Sequence, residues 1–443
     1  MARQYKDSRV SWIGEIPTDW KISRLKNIKD KCKYAIVDGP FGTAISTDDY
    51  VEEGVPLVRI LNLGNPNISN RNLVYITDEH AEKVQRSRFG IGDVVFAKTG
   101  ATIGKCAIND SIEYGILSSS CVKITISPEY YNKYFYYFFL TKQFNDALRM
   151  ACVGTTRDTI NLTPFACLPC VVPPFDEQHR IADFLDQKCA EIDSVIEQTR
   201  RTIQEYHALK QTIITEAVTK GIHGERPMKD SGIEWIGEIP IEWNEIKLKY
   251  CTYIRARLGW KGLKADEYVE EGYPLLSAFN IVNSKLDFGE VNFINKFRYD
   301  ESPEIKLTVN DILLVKDGAG IGKCAIVDYL PIPSTPNGSL AVVSVTDFLV
   351  PKFLYYYFLS TMFQKYIDRI KDGMGVPHLF QSDLREISIV FCSLKEQKEI
   401  ADYLDKKCCE IDELIAKKTS LLSELESYKK SLIYEYVTGK KEV

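Results

Sequence analysis

Two textures of apolar and polar residues alternate along this chain. In the first, apolar residues come as short runs broken by Gly, Pro, Asn and Asp. Val94-Val95-Phe96-Ala97, Ile312-Leu313-Leu314-Val315 and Ala341-Val342-Val343-Ser344-Val345 are examples. Runs of this length between turn formers predict strands with turns in a mixed α/β domain. One aromatic stretch, from Tyr130 to Leu140, matches Phe353 to Leu359 and predicts a buried helix. In the second texture no Gly or Pro interrupts the chain from Asp176 to about Lys220. Pro173-Pro174 should stop the preceding strand, and Gly221 should end the helix.

Apolar positions in this stretch recur every seven residues. One series is Leu185, Ile192, Thr199, Tyr206, Ile213; another is Cys189, Ile196, Ile203, Lys210, Ala217. A later stretch repeats both, as Leu404, Ile411, Lys418, Leu425, Leu432 and Cys408, Ile415, Leu422, Lys429, Tyr436. A heptad seam with polar interruptions predicts that each helix packs against another helix. Ser393 and Glu396 have the spacing of a capping box at the second helix start. At 1.5 Å per residue, a helix of 45 residues spans roughly 67 Å, the length of a rod.

The two textures occur twice because the chain is a tandem duplication. Lys6-Asp7-Ser8 and Trp12-Ile13-Gly14-Glu15-Ile16-Pro17 return as Lys229-Asp230-Ser231 and Trp235-Ile236-Gly237-Glu238-Ile239-Pro240. Tyr50-Val51-Glu52-Glu53-Gly54 returns as Tyr268-Val269-Glu270-Glu271-Gly272, and Ile103-Gly104-Lys105-Cys106-Ala107-Ile108 as Ile321-Gly322-Lys323-Cys324-Ala325-Ile326. Glu177-Gln178 with Ile181-Ala182-Asp183 returns as Glu396-Gln397 with Ile400-Ala401-Asp402. A period of about 220 residues is too long for a solenoid unit and indicates two copies of one module.

Composition narrows the function without naming it. The chain has 443 residues, 45% hydrophobic and 26% charged, as soluble globular proteins do. Its 56 Lys and Arg against 61 Asp and Glu give a net charge of −5. That excludes a histone-like polycation but not a local basic groove. No run of 18 apolar residues and no signal-like start is present, so a cytoplasmic protein without a membrane span is expected. The 12 cysteines then read as reduced thiols. Cys167-Leu-Pro-Cys170 lacks the second pair of a zinc site and reads as small hydrophobes on a strand.

Catalytic signatures fail on spacing. Gly100-Ala101-Thr102-Ile103-Gly104-Lys105-Cys106 has three residues between its glycines where a phosphate loop needs four, and Cys follows where Ser or Thr is required. Gly318-Ala319-Gly320-Ile321-Gly322 fails the dinucleotide spacing, and both stretches read as hairpin turns. No amino-methyltransferase tetrapeptide or nuclease carboxylate set is visible. The histidines at 80, 179, 207, 223 and 378 form no metal-ligand pair, so catalysis is expected on other chains. A nuclease or DNA methyltransferase with a degenerate motif, and a coiled-coil protein-binding scaffold, stay open as alternatives.

Two related modules, each followed by a long helix with Glu-Gln-x-x-Ile-Ala-x-x-Leu-Asp near its start, resemble the specificity (S) subunit of type I restriction–modification systems. The Lys-Asp-Ser-x-x-x-Trp-Ile-Gly-Glu-Ile-Pro-x-x-Trp segment at both module entries is similar to that family as well. So is Pro-Pro-Phe-Asp-Glu-Gln at the first strand–helix junction, which Phe391-Cys392-Ser393-Leu394-Lys395 replaces in the second copy. The resemblance implies an α+β fold with two homologous mixed α/β target recognition domains, residues 1–175 and 223–394. Spacer helices over 176–222 and 395–443 would form an antiparallel coiled coil with pseudo-two-fold symmetry. It implies a non-catalytic subunit that reads a bipartite, asymmetric target in double-stranded DNA and assembles with two methyltransferase (M) subunits, with or without restriction (R) subunits. S-adenosylmethionine would sit on M, and ATP and Mg on R; this chain would bind no cofactor.

Which residues read DNA follows from where the copies differ. Asp38-Gly39-Pro40-Phe41-Gly42-Thr43 aligns with Arg257-Leu258-Gly259-Trp260-Lys261-Gly262, and Gly154-Thr155-Thr156-Arg157 with Gly373-Met374-Gly375-Val376. Residues 64–90 barely match 282–308. Divergent loops on a shared scaffold suit different base readout, and unconstrained surface drift gives the same pattern. Arg59, Arg157, Arg255, Arg257 and Lys261 are the candidates for guanine or phosphate. Lys98/Lys316 and Lys105/Lys323 recur at matched positions and suit sequence-independent phosphate contacts. Leu185, Ile192, Ile196, Ile203, Leu404, Ile411, Ile415 and Leu422 are the candidates for helix pairing.

Overall fold

The computed structural model describes residues 3–41, 44–64, 66–153, 158–257, 263–318, 320–371 and 378–443. The chain divides into two compact units, residues 1–200 with 420–443, and residues 201–419. Each unit therefore holds one globular module, the start of that module's own long helix, and the end of the other long helix. The long helices are Phe175–Lys220 and Leu394–Val437.

In the first unit an antiparallel sheet runs in the order Ile36–Asp38, Cys121–Ile124, Val94–Ala97, Cys106–Ile108. A second sheet runs Val74–Ile76, Val55–Val58, Gly115–Leu117, Arg88–Phe89, with the middle pair parallel. Val94-Val95-Phe96-Ala97 lacks in–out alternation because both of its faces are covered. Val94 and Phe96 pack toward the aromatic helix Asn132–Phe139, while Val95 and Ala97 join the core that includes residues of the second sheet.

The second unit repeats this plan. Thr252–Ala256, Leu340–Val345, Ile312–Val315 and Cys324–Ile326 form the antiparallel sheet. Asn292–Ile294, Tyr273–Leu276 and Thr335–Pro336 form the other. The glycine-bearing loops 98–105 and 316–323 connect antiparallel strands, as hairpin turns do. Gly104 and Gly322 have φ of +90° and +91°, and a Cβ on Gly104 would lie 1.7 Å from Asn145 Oδ1. Cys170 lies buried on a strand as expected, but Cys167 ends the short helix Leu162–Cys167.

The repeated motifs join each module to the first turns of its own helix. Trp20 donates through Nε1 to Glu177 at 2.8 Å, and Arg3 reaches the same carboxylate at 2.7 Å. In the second unit Trp243 donates to Glu396 at 3.2 Å and Arg226 reaches it at 2.7 Å. Gln178 accepts from Tyr131 N and donates to Pro173 O; Gln397 accepts from Val350 N and donates to Cys392 O. Lys133 and Tyr137 hold Asp186, and Lys352 and Tyr356 hold Asp405. The expected capping box at Ser393 is half formed. Ser393 Oγ accepts from Glu396 N at 3.3 Å, but the Glu396 side chain is taken by Trp243 and Arg226.

Within each unit the long helices run antiparallel. In the first, the ring of Phe184 meets Tyr436, Asp193 meets Lys429 and Arg200 meets Glu426, so partner numbers fall as the others rise. Leu185, Ile192 and Ile196 share a core with Leu432, Ile433 and Val437, with Leu422 packed at its margin. In the second, Leu404 and Cys408 share a core with Ile214, Ala217 and Val218. Ile411 is buried; Ile203 and Ile415 are half-buried.

Candidate nucleic-acid interface

At one end of each module, strand ends from both sheets meet. In the first module Ser118 N donates to Val58 O, Lys98 N to Ser120 O, and Gly39 N to Cys121 O. The second has Asn337 N on Leu276 O and Lys316 N on Ser339 O. Asp38, Arg59, Lys98 and the turn Ser118–Ser120 are thereby gathered in one place. Arg257, Ser277, Lys316 and residues 337–339 are gathered in the other.

The same end carries different charge in the two modules. Asp38 is buried and takes Lys98 at 2.5 Å and Arg86 at 3.3 Å. The sheet register pairs Asp38 with Val122 and Ala256 with Ala341, so Asp38 corresponds to Ala256 and Gly39 to Arg257. That corrects the sequence alignment of this segment by one residue. A Cβ at Gly39 would sit 1.9 Å from Ser118 O, so the first module takes no side chain there. In the second module the Arg257 side chain is 2% exposed and 3.7 Å from Glu301, and among the described residues its guanidinium nitrogens have no hydrogen-bond partner. Burial pushes the Arg257 pKa down. An acid on the strand end with a base on the turn 85–87 becomes a base on the strand end with acids around 301–304.

The remaining expected DNA contacts fall into three groups. Lys105 and Lys323 are exposed on the equivalent hairpins. Lys98 is 6% exposed and held by Asp38, and Lys316 is buried beside Asp317 at 3.1 Å, so both ammonium groups already have an internal partner. Arg59 is half-buried, donating to Asn72 O at 2.7 Å over the ring of Tyr50. Arg255, its side chain 30% exposed, donates to both oxygens of Asp311 at 3.1 Å and to Ser344 at 2.8 Å. Arg157 and Lys261 lie outside the described residues.

Sequence reading missed three features. Exposed Arg86 bonds Asp38, and exposed Phe41 lies over Lys98 at 5.3 Å. The second module has an aromatic groove of about 930 Å³ whose lining includes Lys249, Tyr250, Tyr253, Arg255, Arg385 and Glu386, the last paired with Lys249 at 2.7 Å. The first module has extra chain at this edge. The offset between copies falls from 223 at Leu25/Leu248 to 218 at Ile36/Ile254. Those extra residues cross it, with Asp30 N on Thr125 O and Lys29 bridged to Ile126.

The third feature is a likeness that the sequences hide. Residues 64–90 and 282–308, almost unmatched by identity, carry the same elements at a constant offset of 218: strands Val74–Ile76 and Asn292–Ile294, helices Asp78–Lys83 and Lys296–Asp300, and 3₁₀ turns Gln85–Ser87 and Pro303–Ile305. Sequence divergence here covers framework as well as loops.

The family described as the type I restriction modification DNA specificity domain matches residues 17–205 and 240–426. The chain belongs to this family. A putative type I restriction enzyme MjaX specificity subunit of Methanocaldococcus jannaschii is 28% identical over 411 residues, covering 91% of this chain and 89% of that protein. The MjaVIII specificity subunit of the same organism is 26% identical, covering 88% and 86%. Among solved structures, a chain from work on complex assembly and conformational transition of the type I R-M system superposes with a TM-score of 0.73 at 17% identity, covering 96% of this chain and 99% of that one. The HsdS subunit of Thermoanaerobacter tengcongensis gives 0.53 at 16% identity, covering 96% and 98%. The function of this chain is DNA specificity in a type I restriction–modification system, which acts on DNA with other subunits. No described helix is long and apolar enough to cross a membrane.

Proposed function

We propose that the two modules read the two halves of a bipartite, asymmetric DNA target and that the chain positions two M subunits on it, joined by R subunits where cleavage accompanies methylation. The observation that carries this reading is the charge inversion on a shared frame. The ladders and registers of the two modules correspond, while the gathered strand ends place Asp38, Arg86 and Lys98 in one and Arg257, Glu301 and Lys316 in the other. Equal frames with unlike ends suit two different half-sites. Lys105 and Lys323, exposed on equivalent hairpins, suit phosphate contacts that hold register whatever the sequence.

Catalysis belongs to the partners in this reading. M would bind S-adenosylmethionine and methylate adenine flipped from the duplex, and R would use ATP and Mg. The long helices serve as the ruler between half-sites. Four helical residues rise about 6 Å, and duplex DNA about 3.4 Å per base pair. Inserting four residues after Thr199 and four after Lys418 should lengthen the spacer of the methylated site by about two base pairs.

The test is adenine methylation mapped genome-wide in cells lacking this gene, carrying it, and carrying the insertion form. A split motif that depends on the gene, with a longer spacer in the insertion form, is the expected result. A motif independent of the gene overturns the reading, and an unchanged spacer overturns the ruler.

A further inference from the structure

The strand before each gathered end runs into a 3₁₀ turn of the same build, Ile60–Asn62 in the first module and Ala278–Asn280 in the second. A buried asparagine locks each turn. Asn62 Oδ1 accepts from Arg59 N at 3.0 Å, and its Nδ2 donates to Ser69 O and Arg71 O at 3.3 and 3.1 Å. Asn280 Oδ1 accepts from Ser277 N at 2.9 Å, and its Nδ2 donates to Asp287 O and Glu290 O at 3.2 and 2.9 Å.

The residue before each asparagine points into solvent, Leu61 at 75% exposure and Phe279 at 92%. A single exposed apolar residue on a protein surface needs no explanation. Here a large apolar side chain stands at the same place in both modules, on a turn that buried amide bonds hold rigid. The turn directly follows the strand end whose carbonyl, Val58 O or Leu276 O, binds the neighbouring turn of the gathered end. Polar chain flanks both turns: Arg59 and Arg71 adjoin the first, and Ser277, Asp287 and Glu290 adjoin the second.

We propose that Leu61 and Phe279 are rigid apolar probes that pack against bases of the target duplex, one in each half-site. This rests on the reading that the modules bind DNA. A backbone held by two or three hydrogen bonds loses little freedom when its tip is covered, so the gain from burying the tip is kept. The groove offers apolar surface in two forms, the thymine methyl group and the face of an unstacked base step. A leucine in one module and a phenylalanine in the other give the half-sites probes of different size and shape. Neither contact adds charge, so the probes contribute to sequence preference and leave the salt-dependent part of binding to the cations.

The test uses the full chain assembled with M subunits and duplexes carrying the methylated motif found by mapping. Leu61→Ser and Phe279→Ser should each weaken binding to that motif by about tenfold to a hundredfold, the worth of one large apolar side chain. Affinity for unrelated duplex, its salt slope, the amount of M bound and the melting temperature should stay at wild-type values. Leu61→Met should retain most of the affinity. Uracil in place of a contacted thymine should weaken the wild type but not the serine variant, and 2-aminopurine in the half-site should brighten with the wild type alone if the probe enters a step. Either signature supports the proposal. Wild-type affinity for the motif in both serine variants overturns it while the DNA-reading function stands. Loss of M from the complex also overturns it, because the turns would then be a protein contact. A wild-type complex with no sequence preference sinks the underlying reading instead.

Discussion

Asp93 and Asp311 occupy equivalent positions, 4% and 2% exposed at the side chain, and each is neutralised from a different strand. In the first module Lys123 on the central strand binds Asp93 at 2.7 Å, and its neighbour across the ladder is Val37. In the second module that rung is reversed: Val342 holds the central place, and Arg255 across from it binds Asp311. Thr125 and Ser344 supply the hydroxyl in each case. Aligned copies display two unrelated differences, Lys123 against Val342 and Val37 against Arg255, and only the ladder shows them to be one exchange. That is why Arg255 stands out in the sequence as a lone cation, although its guanidinium also neutralises a buried carboxylate. Lys123→Val should lower the stability of the first unit by about 3 kcal/mol, the usual cost of leaving a buried charge without its partner. Adding Val37→Arg should restore most of it. Urea unfolding of the single and double variants measures both, and a double variant no better than the single removes the equivalence.

Elements with long periodicity or two buried faces were legible in the sequence. The heptad series anticipated the long helices. The runs at Val94–Ala97 and Ile312–Val315 coincide with strands because every residue in them is enclosed. Elements of three to six residues at 74–87 and 292–305 were not legible, since positions such as Ile76 and Ile294 anchor them while the rest of the surface is free to differ. The gathered strand ends were legible only in part. The hairpin lysines and Arg257 stood out by charge, whereas the probes at Leu61 and Phe279 carry no chemical signature until their exposure is known. Two of the polar breaks in the heptads have a clear physical role. Lys210 meets Asp412 at 2.7 Å in one unit, and Lys429 meets Asp193 at 2.6 Å in the other. Ion pairs at seam positions fix register more than they add stability. Lys429→Asp alone should cost about 1 kcal/mol, and pairing it with Asp193→Lys should recover most of that. Thermal unfolding of the two variants decides the matter; equal melting temperatures would deny the pair any part in alignment.

At the scale of the molecule, the first unit is assembled from both extremes of the chain. Tyr5 donates its hydroxyl to Gly439 O, Lys440 reaches Glu15 O, and Arg3 lies 3.6 Å from Glu442. Tyr134, fully buried, donates to Val437 O at 2.8 Å. In the second unit the corresponding path is continuous: Gly221, with φ of +79°, follows the first long helix, and five residues later Arg226 takes the place that Arg3 holds in the first unit. Gly439, with φ of +72°, matches Gly221. The first unit is therefore the second with one short link opened. A permuted chain that starts at His223, runs to Val443, continues directly into Met1 and stops at Ile222 should fold and melt within a few degrees of the parent. Its methylation motif should be the same. A permuted chain that is insoluble or methylates a new motif would contradict this. Primary order, on this view, marks only where one backbone link is missing: neighbours that peptide bonds keep together in one unit are kept together by side chains in the other.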